Sequence, residues 1–298
     1  MVINEIIICP ICSSDLIINT QNYFCGNCQQ EFPIENNVGV LVPSPKDHLS
    51  RIDEKMKGVS KDWYVSNQIK SYDEGPYRFH IQKRIAFLKQ FLTTSVKKNG
   101  QFQNILDLGC GDGANLRWLK EFGKNIWATD YNLVRLERTY DTMNQLGINV
   151  KIYLSDIFSL PFKENSFDLI FFNHVIEHLE NDLEALQNIY KITKPGGLVI
   201  LGTPNEGAFA WKLAYFIEPK IRRNTDHVNF YTADSIKKIA KKAGFEIIHS
   251  EHLGWGVPIW KVDPIFRKHK IFDDMFESIG RKLFYSQATS LYIVLKKE

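Results

Sequence analysis

The stretch NILDLGCGDGANLRWLKEFG, residues 104–123, passes from a short apolar segment through alternating glycines into a helical pattern. NILDLG (104–109) reads as a buried strand and ANLRWLKEFG (114–123) as the helix that follows it. Between them Gly109, Gly111 and Gly113 permit positive φ and let backbone N–H groups come close to a ligand. Asp107 lies two residues before the first glycine, and Asp130 ends the next strand pattern, NIWATD (125–130).

The alternation continues outward from this unit. Ile81, Ile85, Leu88 and Leu92 mark one helix face ahead of it. After it come a helix to about Leu146, strands at VKIYLSD (150–156) and FDLIFFN (167–173), a helix over 182–193, and a strand at GLVILGTP (197–204). FDLIFFN is almost continuously apolar, as a strand covered on both faces should be. The order β-α-β-α-β-β-α-β predicts a doubly wound, mostly parallel α/β sheet. A helix over 232–243 and a strand at SLYIVLKK (290–297) complete it.

A carboxylate at Asp130 can accept hydrogen bonds from both hydroxyls of an adenosine ribose. A tight turn with no ligand is the plainer reading, and strand, turn, helix and later acid in that order disfavour it. Residues 109–114 also satisfy G-x-G-x-x-A, the dinucleotide fingerprint. Asp107 weighs against a pyrophosphate, which seeks helix N-terminal N–H groups and no nearby carboxylate. An ammonium or sulfonium ligand would be stabilised by it.

SDIFSLPFKENSFDLIFFNHVIEHL (155–179) and KITKPGGLVILGTPN (191–205) resemble the class I S-adenosylmethionine-dependent methyltransferases, over roughly residues 78–298. The resemblance implies a Rossmann-like sheet of seven strands and S-adenosyl-L-methionine as cofactor. It implies that the loop Gly109–Gly113 packs on the methionine part, that Asp130 holds the ribose, that Tyr131 belongs to the cofactor-binding set, and that Asp156 contacts the adenine amine. Ile157 would offer its backbone to the ring, and Asn173 joins the cofactor-binding set. Lys194–Gly197 would be the structural turn before the fifth strand.

Cys9, Cys12, Cys25 and Cys28 form two C-x2-C knuckles separated by 12 residues, a spacing that supplies four tetrahedral zinc ligands. Reduced buried thiols or two disulfides are the alternatives, and Cys110 reads as a small packing residue of the glycine loop. CPIC…CGNCQQEFPIENNVGVLVP resembles the zinc ribbon of methyltransferase activators. The expected organisation is a zinc-ribbon domain at 1–45 and a linker or helical cap at 46–77, with breaks at Pro43, Pro45, Gly58 and Gly75. A catalytic domain at 78–298 follows, with insertions near 206–226 and 254–288.

The net charge of +3 hides an asymmetry. Residues 1–45 hold no Lys or Arg and four acids, Glu5, Asp15, Glu31 and Glu35, so they carry −4 and the remainder +7. Zinc on four thiolates adds about −2. Phosphate contacts come from Lys and Arg, so nucleic acid is disfavoured as a partner. An RNA methyltransferase whose zinc head aids substrate binding is the alternative. The zinc is expected to be structural, and the head to dock on a protein partner or, by charge, on its own catalytic body.

Methyl transfer is an in-line displacement that chiefly needs alignment, with a base where the acceptor is a hydroxyl. His174, Glu177 and His178 are spaced i, i+3, i+4 and would share a helical face. His227, in DHVNFY (226–231), is a second base candidate. H-x-x-E-H is also a metalloprotease pattern, out of place after a parallel strand. Ubiquinone-type O-methyltransferases, which have Glu where this chain has His174, imply a divalent cation at this position. Base, metal and plain packing all remain open. N-P-P-[YF] is absent, which lowers nucleobase amines as acceptors.

Lys220, Arg222 and Arg223 could meet an anionic group, whereas Lys237, Lys238, Lys241 and Lys242 read as a solvated helix face. The aromatics of 254–288, among them Trp255, Trp260 and Phe266, either pack or cap a flat or lipid-like acceptor. No apolar run approaches the ~18 residues of a membrane span. The start MVINEIIICPIC has no basic head or cleavage site. The expectation is a cytoplasmic methyltransferase acting on a small-molecule acceptor. The acceptor atom is expected to be a hydroxyl of a saccharide or of a secondary-metabolite or quinone-like precursor.

Overall fold

The computed structural model describes residues 2–44, 68–223, 225–257, 259 and 262–298. Most of the expected linker (46–67), with Pro45, Gly58 and Trp260, lies outside the described residues. The chain opens with five short strands: β1 (Val2–Ile8), β2 (Asp15–Ile18), β3 (Asn22–Cys25), β4 (Glu31–Glu35) and β5 (Val38–Val40). Helices α1 (Gln68–Glu74) and α2 (Arg78–Asn99) follow.

Then come β6 (Phe102–Leu108), α3 (Leu116–Leu119), β7 (Gly123–Asp130), α4 (Leu133–Gln145), β8 (Lys151–Leu154), β9 (Phe167–Asn173), α5 (Asp182–Ile192) and β10 (Thr193–Pro204). The last part holds α6 (Phe209–Ile217), α7 (Lys220–Arg223), α8 (Ala233–Lys242), β11 (Glu246–Leu253), α9 (Asp263–Arg267), α10 (Lys270–Leu283) and β12 (Ser290–Lys296).

Seven strands run β8-β7-β6-β9-β10-β12-β11, and β12 is antiparallel to both of its neighbours. The strand order reverses between β6 and β9, and ligands of open α/β sheets bind at such a switch point. Strand β9 shows why its middle, Leu169–Phe172, is apolar without a break. Ile170 and Phe172 pack in one core with Leu186 and Ile189 of α5, while Leu169 and Phe171 pack in the other with Leu88 and Leu92 of α2. Successive side chains face opposite ways, so Leu169–Phe172, covered on both sides, leave no position for a charge, while Asp168 at the half-buried start of the strand pairs with Lys194 at 3.0 Å.

The helix expected over 114–123 is only one regular turn, Leu116–Leu119. Glu121 N and Phe122 N bond back three residues, to Trp118 O and Leu119 O. Strand β7 begins at Gly123, so the chain must tighten at once to re-enter the sheet.

The cysteine-bearing head continues the sheet. β5 pairs in parallel with β8 through Gly39↔Tyr153 and Val40↔Leu154, making one sheet of 12 strands. Ile7, Leu16 and Phe32 lie in the same core as Trp127 and Phe162. This corrects the expectation of docking by charge. Among the described residues one ion pair crosses the junction, Lys163–Asp15 at 2.6 Å. Such an exposed pair contributes roughly 0–1 kcal/mol. Backbone pairing and apolar burial hold the head.

Candidate functional site

Strand β6 delivers the glycine loop to the switch point. Gly109, Gly111 and Gly113 take φ of 78°, 57° and 78°. An added Cβ at Gly109 would run into Val175 Cγ2, and at all three positions the positive φ itself disfavours a side chain. Gly109 N and Cys110 N both donate to Thr129 O. Gly111 N donates to Asp130 Oδ2 at 2.8 Å, and Asn132 N to Asp130 Oδ1 at 2.9 Å. Asp130 thus braces the loop, and each of its oxygens keeps a lone pair for a further donor.

Asp107 is 1% exposed and its Oδ2 has no hydrogen-bond partner. Burial, and then the charge of Asp130, push its carboxyl up to about 8. A buried, unanswered carboxyl beside a glycine loop fits a ligand that brings an ammonium or sulfonium charge.

Helix α1 covers the loop. Gln68 N donates to Asp112 Oδ2 at 2.9 Å, while Arg138 and Arg135 reach Asp112 Oδ1 at 3.0 and 3.3 Å. Arg117 clamps Asp73 with two bonds of 2.8 and 3.0 Å.

Beyond β9 the chain does not form the helical turn expected from His174. His174 has a φ of 54°, and the turn that follows is a short 3-10 helix, Ile176–His178. His174, Glu177 and His178 therefore do not share a helix face. His174 Nδ1 meets Glu177 Oε1 at 3.1 Å, and its Nε2 lies 3.4 Å from Arg84 Nη1. Glu177 is 1% exposed and also accepts from Thr203 Oγ1. Burial alone would raise its carboxyl, but the His174 hydrogen bond and the nearby imidazoles hold it below the usual range.

His178 turns the other way, to His227, with ring centroids 5.0 Å apart. Burial works against protonation of His227. Glu206 at 3.8 Å, an ion-pair distance, outweighs this together with Glu177 and Asp226, and raises its pKa above 6.5. The ligand atoms of Glu177, His178 and His227 lie within 4.8 Å of one another, so a cation here would use His227 in place of His174.

A cavity of about 410 Å³ brings Gly109, Asn173, His174, Glu177, His178 and His227 onto one wall system. Asn173 Oδ1 accepts from Tyr292 OH at 2.7 Å. Asp130, Tyr131, Asp156 and Ile157 do not line this cavity; they sit at and beyond the ends of β7 and β8, next along the sheet. Asp156 Oδ1 accepts from Phe158 N, capping a 3-10 turn, and Ile157 O accepts from Asn188.

Sequence reasoning missed Arg84. It is 8% exposed, lines the cavity, and has no carboxylate within ion-pair distance among the described residues. Tyr72 and Tyr292 flank it, ring centroids 5.9 and 5.8 Å from its Cζ. The available signal was periodicity: His80, Arg84, Leu88 and Leu92 are four apart, and all are buried on α2. The apolar face read from the sequence, Ile81, Ile85, Leu88 and Leu92, passes beside His80 and Arg84.

In the head, Cys9 Sγ and Cys28 Sγ lie 3.6 Å apart, and Cys12 Sγ and Cys25 Sγ 3.4 Å. All four sulfurs fall within 4.8 Å of one another and none forms a disulfide. Tetrahedral Zn–S bonds of about 2.3 Å set sulfurs about 3.8 Å apart, so the donor set fits that ion.

The pattern of the family described as a methyltransferase domain matches residues 77–250. The chain is 32% identical over 215 residues to the biotin biosynthesis bifunctional protein BioHC of Teredinibacter turnerae, covering 68% of this chain and 36% of that protein. It is 25% identical over 244 residues to the ubiquinone/menaquinone biosynthesis C-methyltransferase UbiE of Neisseria meningitidis, covering 75% and 95%. The chain thus spans about a third of the length of the first of these relatives. The crystal structure of the PH0226 protein from Pyrococcus horikoshii superposes with a TM-score of 0.53 at 15% identity, over 81% of this chain and 100% of that one, a likeness of fold alone. With the family's pattern running from the start of α2 into β11, across the loop and turn that wall the cavity, this chain belongs to the methyltransferase domain family.

Proposed function

We propose that the protein transfers a methyl group from S-adenosylmethionine to a small-molecule acceptor at an atom that must shed a proton. The hydroxyl of a saccharide or of a quinone-like or secondary-metabolite precursor is the preferred acceptor. One observation carries the reading: a single cavity joins the glycine loop to the His178–His227 pair. Bound, the cofactor would supply an electrophilic methyl on a sulfonium with a neutral leaving group. Asp107 answers its positive charge, and Asp130, Tyr131, Asp156 and Ile157 hold its nucleoside along the ends of β7 and β8. His227 takes the acceptor proton, and His178 orients it. Arg84 meets an anionic group of a bound ligand.

Four thiolates, of Cys9, Cys12, Cys25 and Cys28, hold a structural zinc. We read 1–45 as the zinc-ribbon unit, 46–77 as linker and cap, and 78–298 as the catalytic unit. Curated relatives named for biotin and quinone biosynthesis support a small acceptor. The head, with no Lys or Arg, offers nothing to a phosphate backbone.

Calorimetric titration with S-adenosylhomocysteine, followed by mass-spectrometric screening of acceptors with labelled cofactor, tests the reading. Absence of cofactor-product binding would sink it.

A further inference from the structure

Helices α6 and α10 carry large apolar side chains into solvent. Phe216 is 84% exposed, Ile271 75% and Leu283 71%. Phe209 and Phe216 are two turns apart on α6, and Ile271, Met275, Ile279 and Leu283 are spaced by four on α10, so each helix shows a stripe. The two stripes adjoin. Phe209, Met275, Ile279 and Phe284, all exposed, surround a second, apolar cavity of about 460 Å³. It shares Ala210, Val257, Asp263 and Thr289 with the cavity of the glycine loop. Scattered apolar residues need no explanation, but a contiguous patch of this kind marks an interaction surface.

Charge identifies the occupant. Lys212, Lys220, Arg223, Lys268 and Lys282 on and beside these helices are exposed. The acids of the same segments are covered or paired. Asp273 is buried against Lys83 and Arg267, Asp274 pairs with Lys83 and Lys270, and Glu277 with Arg281. An apolar stripe ringed by cations matches a bilayer bearing anionic headgroups. A second copy meeting the same patch would set these cations against themselves. No helix among the described residues is long and apolar enough to cross a membrane, so contact would be confined to the interface.

We propose that the α6–α10 face docks on an anionic lipid surface, with Phe216, Ile271 and Leu283 entering the headgroup–acyl boundary. An apolar-tailed acceptor would then reach the glycine loop through the second cavity. That consequence rests on the methyl-transfer reading, whereas docking itself does not.

The test is flotation of the full chain with vesicles of phosphatidylcholine alone and with phosphatidylglycerol added, with no cofactor present. Binding is expected only to the anionic vesicles and to weaken with salt. Phe216→Glu with Leu283→Glu is expected to lower partitioning about tenfold or more, with unchanged circular dichroism and melting. Lys212→Glu with Lys268→Glu and Lys282→Glu is expected to remove the salt dependence. No binding to anionic vesicles at low salt, or binding untouched by either set, would overturn the proposal. Self-association by light scattering that is lost in Phe216→Glu would assign the face to a second copy and overturn it too.

Discussion

The imidazole of His178, from the turn after β9, meets that of His227, from the segment before α8, edge to face at 5.0 Å. Each ring has its own acid: Asp226 Oδ2 lies 3.3 Å from His178 Nδ1, and Glu206 Oε1 lies 3.8 Å from His227 Nδ1. Of the two, His227 is the ring whose pKa is raised, with Glu206 beside it.

If His227 is the base, it must be neutral to act. Its pKa is raised above 6.5, so the protonated form persists to higher pH. Turnover is therefore expected to climb with pH on the alkaline side of an ordinary imidazole. His227→Gln should lower kcat by about a hundredfold, abolish that limb, and leave cofactor-product affinity unchanged. A pH–rate profile of both proteins checks this; an unaltered profile would remove His227 from the chemistry.

Asp130→Ala removes the acceptor for Gly111 N and frees the glycine loop. Loss of charge-assisted hydrogen bonds of this kind weakens binding by about 10–100-fold. Calorimetry with S-adenosylhomocysteine reads the change, which should far exceed any change in melting temperature.

Asp107 has a folded pKa of about 8 against an ordinary 3.8. Its neutral form is the comfortable one in the cofactor-free protein. The stability it contributes is full below about pH 4 and is lost as pH rises through 8. Asp107→Asn should therefore flatten the fall of melting temperature over that window. Binding of a cationic ligand near neutral pH should expel about one proton from Asp107. The heat of binding would then vary with buffer ionisation enthalpy in the wild type and not in Asp107→Asn.

Purified protein should carry about one zinc per chain by elemental mass spectrometry. Chelation, or Cys9→Ser with Cys28→Ser, should lower the melting temperature of the whole molecule by roughly 5–10 °C. The reason is that Ile7, Leu16 and Phe32 share a core with Trp127 and Phe162. A melt in which the main transition is unmoved would show the head to be energetically separate.

Legibility tracked the range of the interaction. The strand of 167–173 was readable to its last residue, because its run Leu169–Phe172, buried on both faces, leaves a dense apolar signature. The helix of 114–123 was overdrawn, because its apolar spacing says nothing of where β7 must begin. The cluster at 174–178 was misdrawn for a related reason. An i, i+3, i+4 spacing implies one face only if the backbone is helical, and His174 sits at positive φ. Arg84 escaped notice because a charged residue on a buried stripe breaks the pattern being counted.

By itself the sequence determined the glycine loop, the acids at 107, 130 and 156, the two cysteine knuckles and the doubly wound order. All of these rest on short spacings and local periodicity, which the chain carries wherever it is placed. Only the tertiary structure decided that β5 extends the sheet through β8, that His178 faces His227 instead of His174, and that Arg84 lines the cavity with no carboxylate at ion-pair distance among the described residues. Those relationships join residues far apart in the chain, and only burial of the shared apolar core, which leaves each polar group few places to turn, brings them together.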